Sequence, residues 1–307
     1  LLLSITSIGV PGAISKLVAE RSSVGDHKGA YKIFKISLAL FSIVGILGSY
    51  FLFCYAKTIA NNILRMPEVE LSLIAFSPSI FLVSIISVYK GYFNGREKMS
   101  ITAKAQTYDQ LTKTFFTIFI IEIAFFISKL TGISEIAACA NLATTFANVI
   151  EFGYLYFSYN KELPTIKYEI ITSINYREVR MIRTIKDVLL SAIPMALSPF
   201  IGTIGKNIDS TTIMSGLQNN MSYENAKIQY GIFNGKVDTL INFPVSFSGT
   251  LSIALIPSIA AAKSKGKISE VENRINLSLL IGLIIALPTV AIFAFYSEAI
   301  LNLLFAN

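Results

Sequence analysis

The chain has 307 residues, of which 53% are hydrophobic, and its mean hydropathy is +0.61. This apolar content exceeds that of soluble domains and excludes an ordinary soluble fold. The net charge of +7 does not predict a nucleic-acid partner, because no basic patch interleaved with aromatic residues accompanies it. Two cysteines, Cys54 and Cys139, and one histidine, His27, form no disulfide framework or metal-type spacing, so we expect neither a metal nor another cofactor.

Eight apolar stretches follow one another along the chain, and most approach the roughly 20 residues that a membrane-spanning helix needs. They cover residues 1–16, 36–56, 71–89, 111–128, 133–157, 187–205, 237–262 and 276–304. Backbone groups in lipid must be hydrogen-bonded within their own segment, so spans of this length predict helices. The sequence therefore predicts an all-α, polytopic transmembrane helical bundle.

Lysine and arginine are concentrated in every second gap between these stretches. The gaps at 16–35, 90–104, 158–186 and 263–275 hold 19 of the 26 basic residues. Cytoplasmic loops carry such an excess, so these four gaps are predicted to be cytoplasmic. The first stretch then runs from outside to inside, which predicts that the chain is a fragment lacking an earlier helix. Lys113, Lys206 and Lys236 fall outside the alternation and are therefore candidates for function.

The gap at 158–186 is predicted to divide two lobes, residues 1–157 and residues 187–307. It carries Pro164 and apolar residues at helical spacing, which fit either a surface-lying helix or a plain cytosolic loop. Residues 3–16 and 251–263 share a pattern in which Pro11 or Pro257 precedes a lysine by five or six residues. Repeated bundles of this kind are usual in secondary transporters.

Polar side chains recur at steps of three, four or seven residues within or beside four of the stretches, which places each set on one helix face. The four sets are Gln106, Asp109, Gln110 and Lys113; Asn141, Asn148 and Glu151; Lys206 and Asp209; and Asn234, Asp238 and Asn242. Ionisable groups within spans usually face the bundle interior or water. The sets therefore predict a hydrated cavity, although polar residues also join membrane helices to one another.

Two segments resemble a known family. GVPGAISKLVAER at 9–21 and KGYFNGREKMSITAKAQTYDQLTK at 90–113 are similar to the second helix and the loop between helices four and five of stage V sporulation protein B and its relatives. The family usually has Arg-Gly-Tyr-Phe-Gln-Gly, Met-x-Pro-Thr-Ala and Gln-x-x-Glu-Gln. Here Lys90 replaces the arginine and Asn94 replaces the glutamine of the first motif. Ile101 replaces the proline and Asp109 replaces the glutamate. Residues 239–244, TLINFP, resemble the family's eighth helix.

The resemblance implies the multidrug/oligosaccharidyl-lipid/polysaccharide (MOP) exporter superfamily, with a MATE-like fold of two helical lobes. On that map residues 1–157 would hold helices two to six, and residues 187–307 would hold helices seven to nine. The family is associated with moving polyprenyl-pyrophosphate-linked saccharides, the precursors of peptidoglycan or polysaccharide, across the bacterial cytoplasmic membrane. Membrane lipids and cell-envelope synthesis proteins are the partners this implies.

The resemblance also implies roles for the polar residues. A pyrophosphate head group in a low-dielectric site needs cationic partners. The candidates for this role are Lys113, Lys206 and Lys236. Candidates for ion binding or gating are Asp109, Glu122, Glu151, Asp209 and Asp238. Cavity-lining candidates are Gln106, Gln110, Asn148, Asn234 and Asn242. Glu122, alone in an apolar run, could equally be a hydrogen-bonded packing residue.

Two further functions stay open at this point. One is a cation-coupled multidrug exporter of the same fold, which an acidic, aromatic cavity would favour. The other is a non-transporting membrane scaffold for a cell-envelope synthesis complex, which dry lobes would favour. The sequence assembles no nucleophile, base and oxyanion donor, so we do not expect an enzyme.

Overall fold

The computed structural model describes residues 9–63, 69–127, 133–174 and 179–305, and every regular element in these ranges is a helix. The α-helices are α1 Val10–Ser22, α2 His27–Thr58, α3 Glu70–Gly95, α4 Met99–Ile127, α5 Ile133–Ile171, α6 Met181–Gln218, α7 Tyr223–Ile232, α8 Thr239–Ser264 and α9 Ile268–Leu304. Short π-helical segments, Ile59–Ile63 and Phe233–Asp238, extend α2 and lead into α8. The predicted all-α fold is confirmed.

Four of these helices are long and apolar enough to cross a membrane. Within the described ranges they are His27–Asn62, Glu70–Gly95, Glu135–Ile171 and Ile268–Leu304. Three of them contain a predicted apolar stretch and extend beyond it, and Glu135–Ile171 covers all but the first two residues of the stretch 133–157. Hydropathy marks the segment that lies in lipid, whereas the helix continues as long as its backbone hydrogen bonds are made.

The same tight turn ends three helices on the predicted cytoplasmic side. Gly25, Glu97 and Gly266 have φ of 81°, 61° and 71°, in the left-handed region. After α1, the Gly25 N–H donates to the Ser22 carbonyl at 3.1 Å and the Asp26 N–H donates to Arg21 at 3.0 Å. The turns after α3 and α8 repeat both bonds, which satisfy carbonyls that a helix end would leave unpaired.

These turns change the alignment of the predicted repeat. The turn aligns Gly25 with Gly266, and each is followed by a long apolar helix, α2 or α9. Pro11 lies near the start of α1, whereas Pro257 lies well inside α8, so the two prolines are not at matching positions. Residues 3–8 of the repeated segment lie outside the described residues.

The chain forms two compact units, Leu1–Ser198 and Pro199–Asn307. An aromatic cluster joins α2, α3 and α5 in the first unit. The Phe34 ring is 1% exposed, stacks on Tyr92 at 4.4 Å between centroids, and meets Tyr89 at 5.3 Å and Tyr159 at 5.5 Å. Burial of rings of this size supplies much of the packing energy of a helical core.

The first half of α6 belongs to the same unit as α1. A Cβ built on Gly9 would lie 2.8 Å from the Ala196 Cβ, so the two backbones approach closely at small residues. In the second unit, α8 and α9 pack as a hairpin, and α9 is kinked at Tyr296 (φ −126°, ψ 19°).

The structure describes most of the segment 158–186. Its first part continues α5 without a break to Ile171, and buried Tyr159 and Ile166 bind this extension to the first unit. Residues 175–178 lie outside the described residues. The division into lobes at 157 and 187 stays a prediction.

Candidate functional site

A buried ion pair joins α3 to α5. Nζ of Lys90 lies 2.7 Å from Oε1 of Glu151, and their side chains are 18% and 5% exposed. Removing two charges from water costs several kcal/mol per ion, and their mutual attraction offsets that cost only in part. A pair this deep in an apolar bundle is therefore a poor way to gain stability, and it marks a candidate functional site.

Asp109 on α4 brings a second carboxylate to this pair. Its side chain is half-buried, and both Lys90 and Lys113 lie within electrostatic range of it. Asp109 also interacts electrostatically with Glu151. Lys90 therefore pairs with Glu151 and also attracts the Asp109 carboxylate. Lys113 brings the formal charge of the four groups to zero. We call these four residues the α3–α5 charge cluster.

The two other polar residues of the α4 set are exposed. Gln110 Nε2 donates to Asp109 Oδ2 at 3.2 Å, whereas Gln106 lies one turn nearer the start of the helix. The predicted helical face thus brings Gln110, Asp109 and Lys113 together. The spacing of the sequence was sufficient to group them.

The polar set on α5 lies partly against α3. The hydroxyls of Ser79 and Thr145 lie 2.7 Å apart, and Thr145 also donates to the Ala75 carbonyl at 3.0 Å. Asn148 and Glu151, one and two turns further along, are 6% and 4% exposed. Thr145, which lies between members of this set, therefore joins α5 to α3, as polar groups in membranes often do. Asn141 Nδ2 donates within α5, to the Ala137 carbonyl at 3.0 Å, and Glu151 adds the ion pair with Lys90.

The segment Lys90–Arg96 also forms the contact between α3 and α1. A Cβ on Gly91 would lie 2.9 Å from the Pro11 carbonyl oxygen, and one on Gly95 would lie 2.7 Å from that of Ser15. The Gly-x-x-x-Gly spacing lets two membrane helices approach this closely. Lys90 is therefore carried on a part of α3 that α1 holds in place.

Just beyond that contact, Arg96 anchors the end of α3 to the part of α5 that extends past residue 157. Its Nη2 donates to Glu169 Oε2 at 2.7 Å, and its guanidinium lies over the Tyr92 ring at 5.4 Å from the centroid. His27 Nδ1 lies 3.9 Å from the same Glu169 oxygen. With its side chain 6% exposed, Arg96 is a positioning residue for the turn between α3 and α4.

Further contacts fix the turns on this side of the first unit. Lys98 pairs with Glu162 of α5. The Lys28 N–H donates to Ser173 Oγ at 2.9 Å, and the Ile174 N–H donates to the Gly25 carbonyl at 3.1 Å. The α1–α2 and α3–α4 turns are thereby bound to the α5 extension, which keeps the charge cluster on a rigid support.

The predicted site residues of the second unit differ from one another in burial and in contacts. Lys236 and Asp238 are half-buried within the π-helical segment, a geometry frequent at functional sites. Lys236 Nζ lies 5.7 Å from the centroid of the Phe305 ring. Asn242 Nδ2 donates to the Asp238 carbonyl at 2.7 Å, and Asn234 is exposed.

Three other predicted residues contribute no described polar contact to a site. Glu122 on α4 and Asp209 on α6 are exposed on the helices that carry them. The side chain of Lys206 lies outside the described residues.

Lys90 is the functional candidate that the charge alternation missed, because it counted Lys90 with the cytoplasmic loops. The sequence did contain one signal that pointed to a cation on another helix. Glu151 is a carboxylate within the apolar stretch 133–157 and needs a cation from another helix, since none lies at a helical spacing on its own.

Residues 1–263 match a family whose description is polysaccharide biosynthesis protein. The chain belongs to this family. The resemblance seen in the sequence is thus confirmed. The segment 90–113 that carried it is, in the structure, the α3 end and the α4 start that hold Lys90 and Asp109.

Named relatives of this polysaccharide biosynthesis protein include two from Bacillus subtilis (strain 168). Stage V sporulation protein B is 26% identical over 307 residues, covering 99% of this chain and 58% of the relative. The lipid II flippase MurJ is 23% identical over 301 residues, covering 94% of this chain and 55% of the relative. The chain therefore spans less than two thirds of the length of either relative.

Solved structures with the same fold are MATE proteins. A MATE crystal structure in the straight conformation matches with a TM-score of 0.72 at 16% identity, covering 99% of this chain and 63% of that one. An outward-facing multidrug resistance MATE family transporter of the MOP superfamily matches with a TM-score of 0.69 at 16% identity, covering 97% and 62%. The predicted MATE-like fold and multi-pass membrane location are confirmed.

Proposed function

We propose that the full-length protein moves a polyprenyl-pyrophosphate-linked saccharide across the bacterial cytoplasmic membrane by alternating access. The observation that carries this proposal is the α3–α5 charge cluster within a MATE-like bundle of a polysaccharide biosynthesis protein. Similarity to a lipid II flippase supports a lipid-linked saccharide as the substrate class. Moving such a lipid requires cationic contacts for its head group and breaks no covalent bond, so the protein acts as a transporter.

In this proposal Lys113 and Lys236 bind the anionic head group, while Asp109 and Asp238 bind ions or gate. Lys113 is exposed beside Asp109, so its ammonium is available to a ligand. Lys236 is half-buried on a π-helical segment and close to an aromatic ring. Charge-assisted hydrogen bonds to phosphate oxygens are stronger than neutral ones, which suits a low-dielectric site.

The test is a flipping assay on the full-length protein in vesicles with a defined polyprenyl-pyrophosphate saccharide. Lys113→Ala and Lys236→Ala should each slow flipping by roughly ten- to hundred-fold, because each removes a charge-assisted contact. Lys265→Ala is the matched control, since Lys265 is exposed in the turn between α8 and α9. Unchanged flipping in both lysine variants would show that other residues hold the head group.

A second candidate function is a cation-coupled drug exporter. It is favoured by the fold shared with a multidrug resistance MATE transporter and by the two carboxylates, Asp109 and Glu151. Transport of an organic cation in the same vesicles, lost in Asp109→Asn, together with no flipping of the saccharide lipid, would favour this function instead.

A further inference from the structure

We infer that Lys90 is the binding residue that receives the anionic head group from the cytoplasmic leaflet, and that Glu151 is the counterion which the phosphate displaces. This inference rests on the proposed function and adds a residue that the charge alternation had assigned to topology. Its grounds are the depth, accessibility and charge balance of the ion pair.

The depth of Lys90 suits a lipid head group. Lys90 lies five residues before the end of α3 at Gly95, which is about 7.5 Å along the helix axis. The turn that follows carries Arg96 and Lys98 and belongs to a predicted cytoplasmic gap. The ammonium therefore lies just inside the cytoplasmic boundary of the bundle, near the level at which phosphate groups of lipids are found.

The two members of the pair differ in accessibility. The Lys90 side chain is 18% exposed, whereas that of Glu151 is 5% exposed. The Lys90 side chain is therefore the more accessible of the two to an incoming phosphate. A long lysine stem also lets its charged end turn towards a new partner without movement of the helix.

The charge balance favours replacement of Glu151 by the phosphate as the partner of Lys90 over binding of the phosphate in addition to Glu151. With Lys90, Lys113, Asp109 and Glu151 all ionised, the cluster is formally neutral, so the empty site does not hold an uncompensated cation in an apolar bundle. Repulsion between Asp109 and Glu151 weakens the hold of either carboxylate on Lys90. A phosphate that takes over Lys90 replaces one charge-assisted contact by another, instead of desolvating a fresh charge.

A purely structural ion pair would behave differently when its charges are exchanged. The double variant Lys90→Glu with Glu151→Lys keeps a pair between α3 and α5 but moves the ammonium to the covered position. If the pair only joins helices, this exchange restores function. If Lys90 binds the head group, the exchange preserves folding and still loses the affinity for the pyrophosphate lipid.

The experiment uses the full-length protein in vesicles, with a fluorescent polyprenyl-pyrophosphate saccharide as the probe and melting temperature as the measure of folding. Lys90→Gln should raise KM for the probe by roughly ten- to hundred-fold, and Lys90→Arg should stay close to the wild type. Glu151→Gln should lower KM, because it removes the competing anion and Asp109 still compensates Lys90. The charge exchange should melt like the wild type and keep the raised KM.

The matched control is the exchange of Lys98 and Glu162, which also pair between the α3–α4 turn and α5. It should leave KM unchanged. Wild-type KM in the Lys90/Glu151 exchange, a raised KM in Glu151→Gln, or an unchanged KM in Lys90→Gln would each overturn the inference while leaving the proposed function standing. A wild-type protein that flips no pyrophosphate lipid would instead remove the proposed function, and the inference with it.

Discussion

Replacing Gly95 with alanine tests the contact that holds α3 against α1. The added Cβ would lie 2.7 Å from the Ser15 backbone oxygen and 2.7 Å from the Val18 Cβ, whereas ordinary contact is 3.4–4 Å. The shortfall is therefore about 0.7 Å on two sides. Since one neighbour is a backbone atom, no side-chain rotation relieves it, and α1 has to move away from α3.

The magnitude follows from comparison with Gly153→Ala on α5. Gly153→Ala gains about 1 kcal/mol of helix propensity in the interior of α5, and a Cβ there meets nothing within 4 Å. Gly95 is the last residue of α3, where this gain is smaller. Overpacking of a tight contact costs about 1–3 kcal/mol. Gly95→Ala should therefore be less stable than Gly153→Ala by at least about that amount, because Gly153→Ala also has the larger propensity gain.

Thermal unfolding of the full-length protein in detergent, followed by circular dichroism, measures the difference. A loss of 1 kcal/mol lowers Tm by about 2–4 °C in domains of 150–250 residues. We expect Gly95→Ala to melt about 2–12 °C below Gly153→Ala. Equal melting temperatures, or a more stable Gly95→Ala, would refute the close approach of α1 and α3.

Two other predictions concern the first unit and the helix ends. Phe34→Ala should destabilise the fold by about 3–5 kcal/mol, because it empties the centre of the aromatic cluster. The control Phe157→Ala, at a 68% exposed position, should change stability by less than about 0.5 kcal/mol. Similar unfolding free energies for the two variants would contradict the cluster. Glu97→Gly should stabilise, and Gly266→Ala should destabilise, each by about 1 kcal/mol, since both have left-handed backbones. Chemical unfolding measures both, and a shift of the same sign in the two variants would disprove the turn geometry.

The helices were largely predictable because their signals are local. Stretch 71–89 was recognised from apolar residues alone, and the structure extends it only to Glu70–Gly95. Stretch 133–157 was too short by comparison, since α5 continues to Ile171. That extension is held by packing of residues such as Ile166, which is 2% exposed. Hydropathy does not register this, because it measures affinity for lipid and not contact with other helices.

The candidate site was predictable only where its members share one helix. Asp109, Gln110 and Lys113 lie within one turn or so of each other, so periodicity grouped them, and the structure keeps them together. Lys90 and Glu151 are on different helices, and no spacing rule relates them. The π-helical segment Phe233–Asp238 likewise changes the faces that α-helical steps assign to Asn234 and Asp238.

The sequence by itself determined that this protein is a membrane bundle, which gaps are basic, and which lysines the alternation leaves over. Each of these is a property of single residues or of neighbours along one helix. The tertiary structure decided that Lys90 is paired with Glu151, that Gly91 and Gly95 receive α1, and that Arg96 meets Glu169. These contacts depend on which helices pack together and at what register, and that choice is made by the fit of whole helix surfaces.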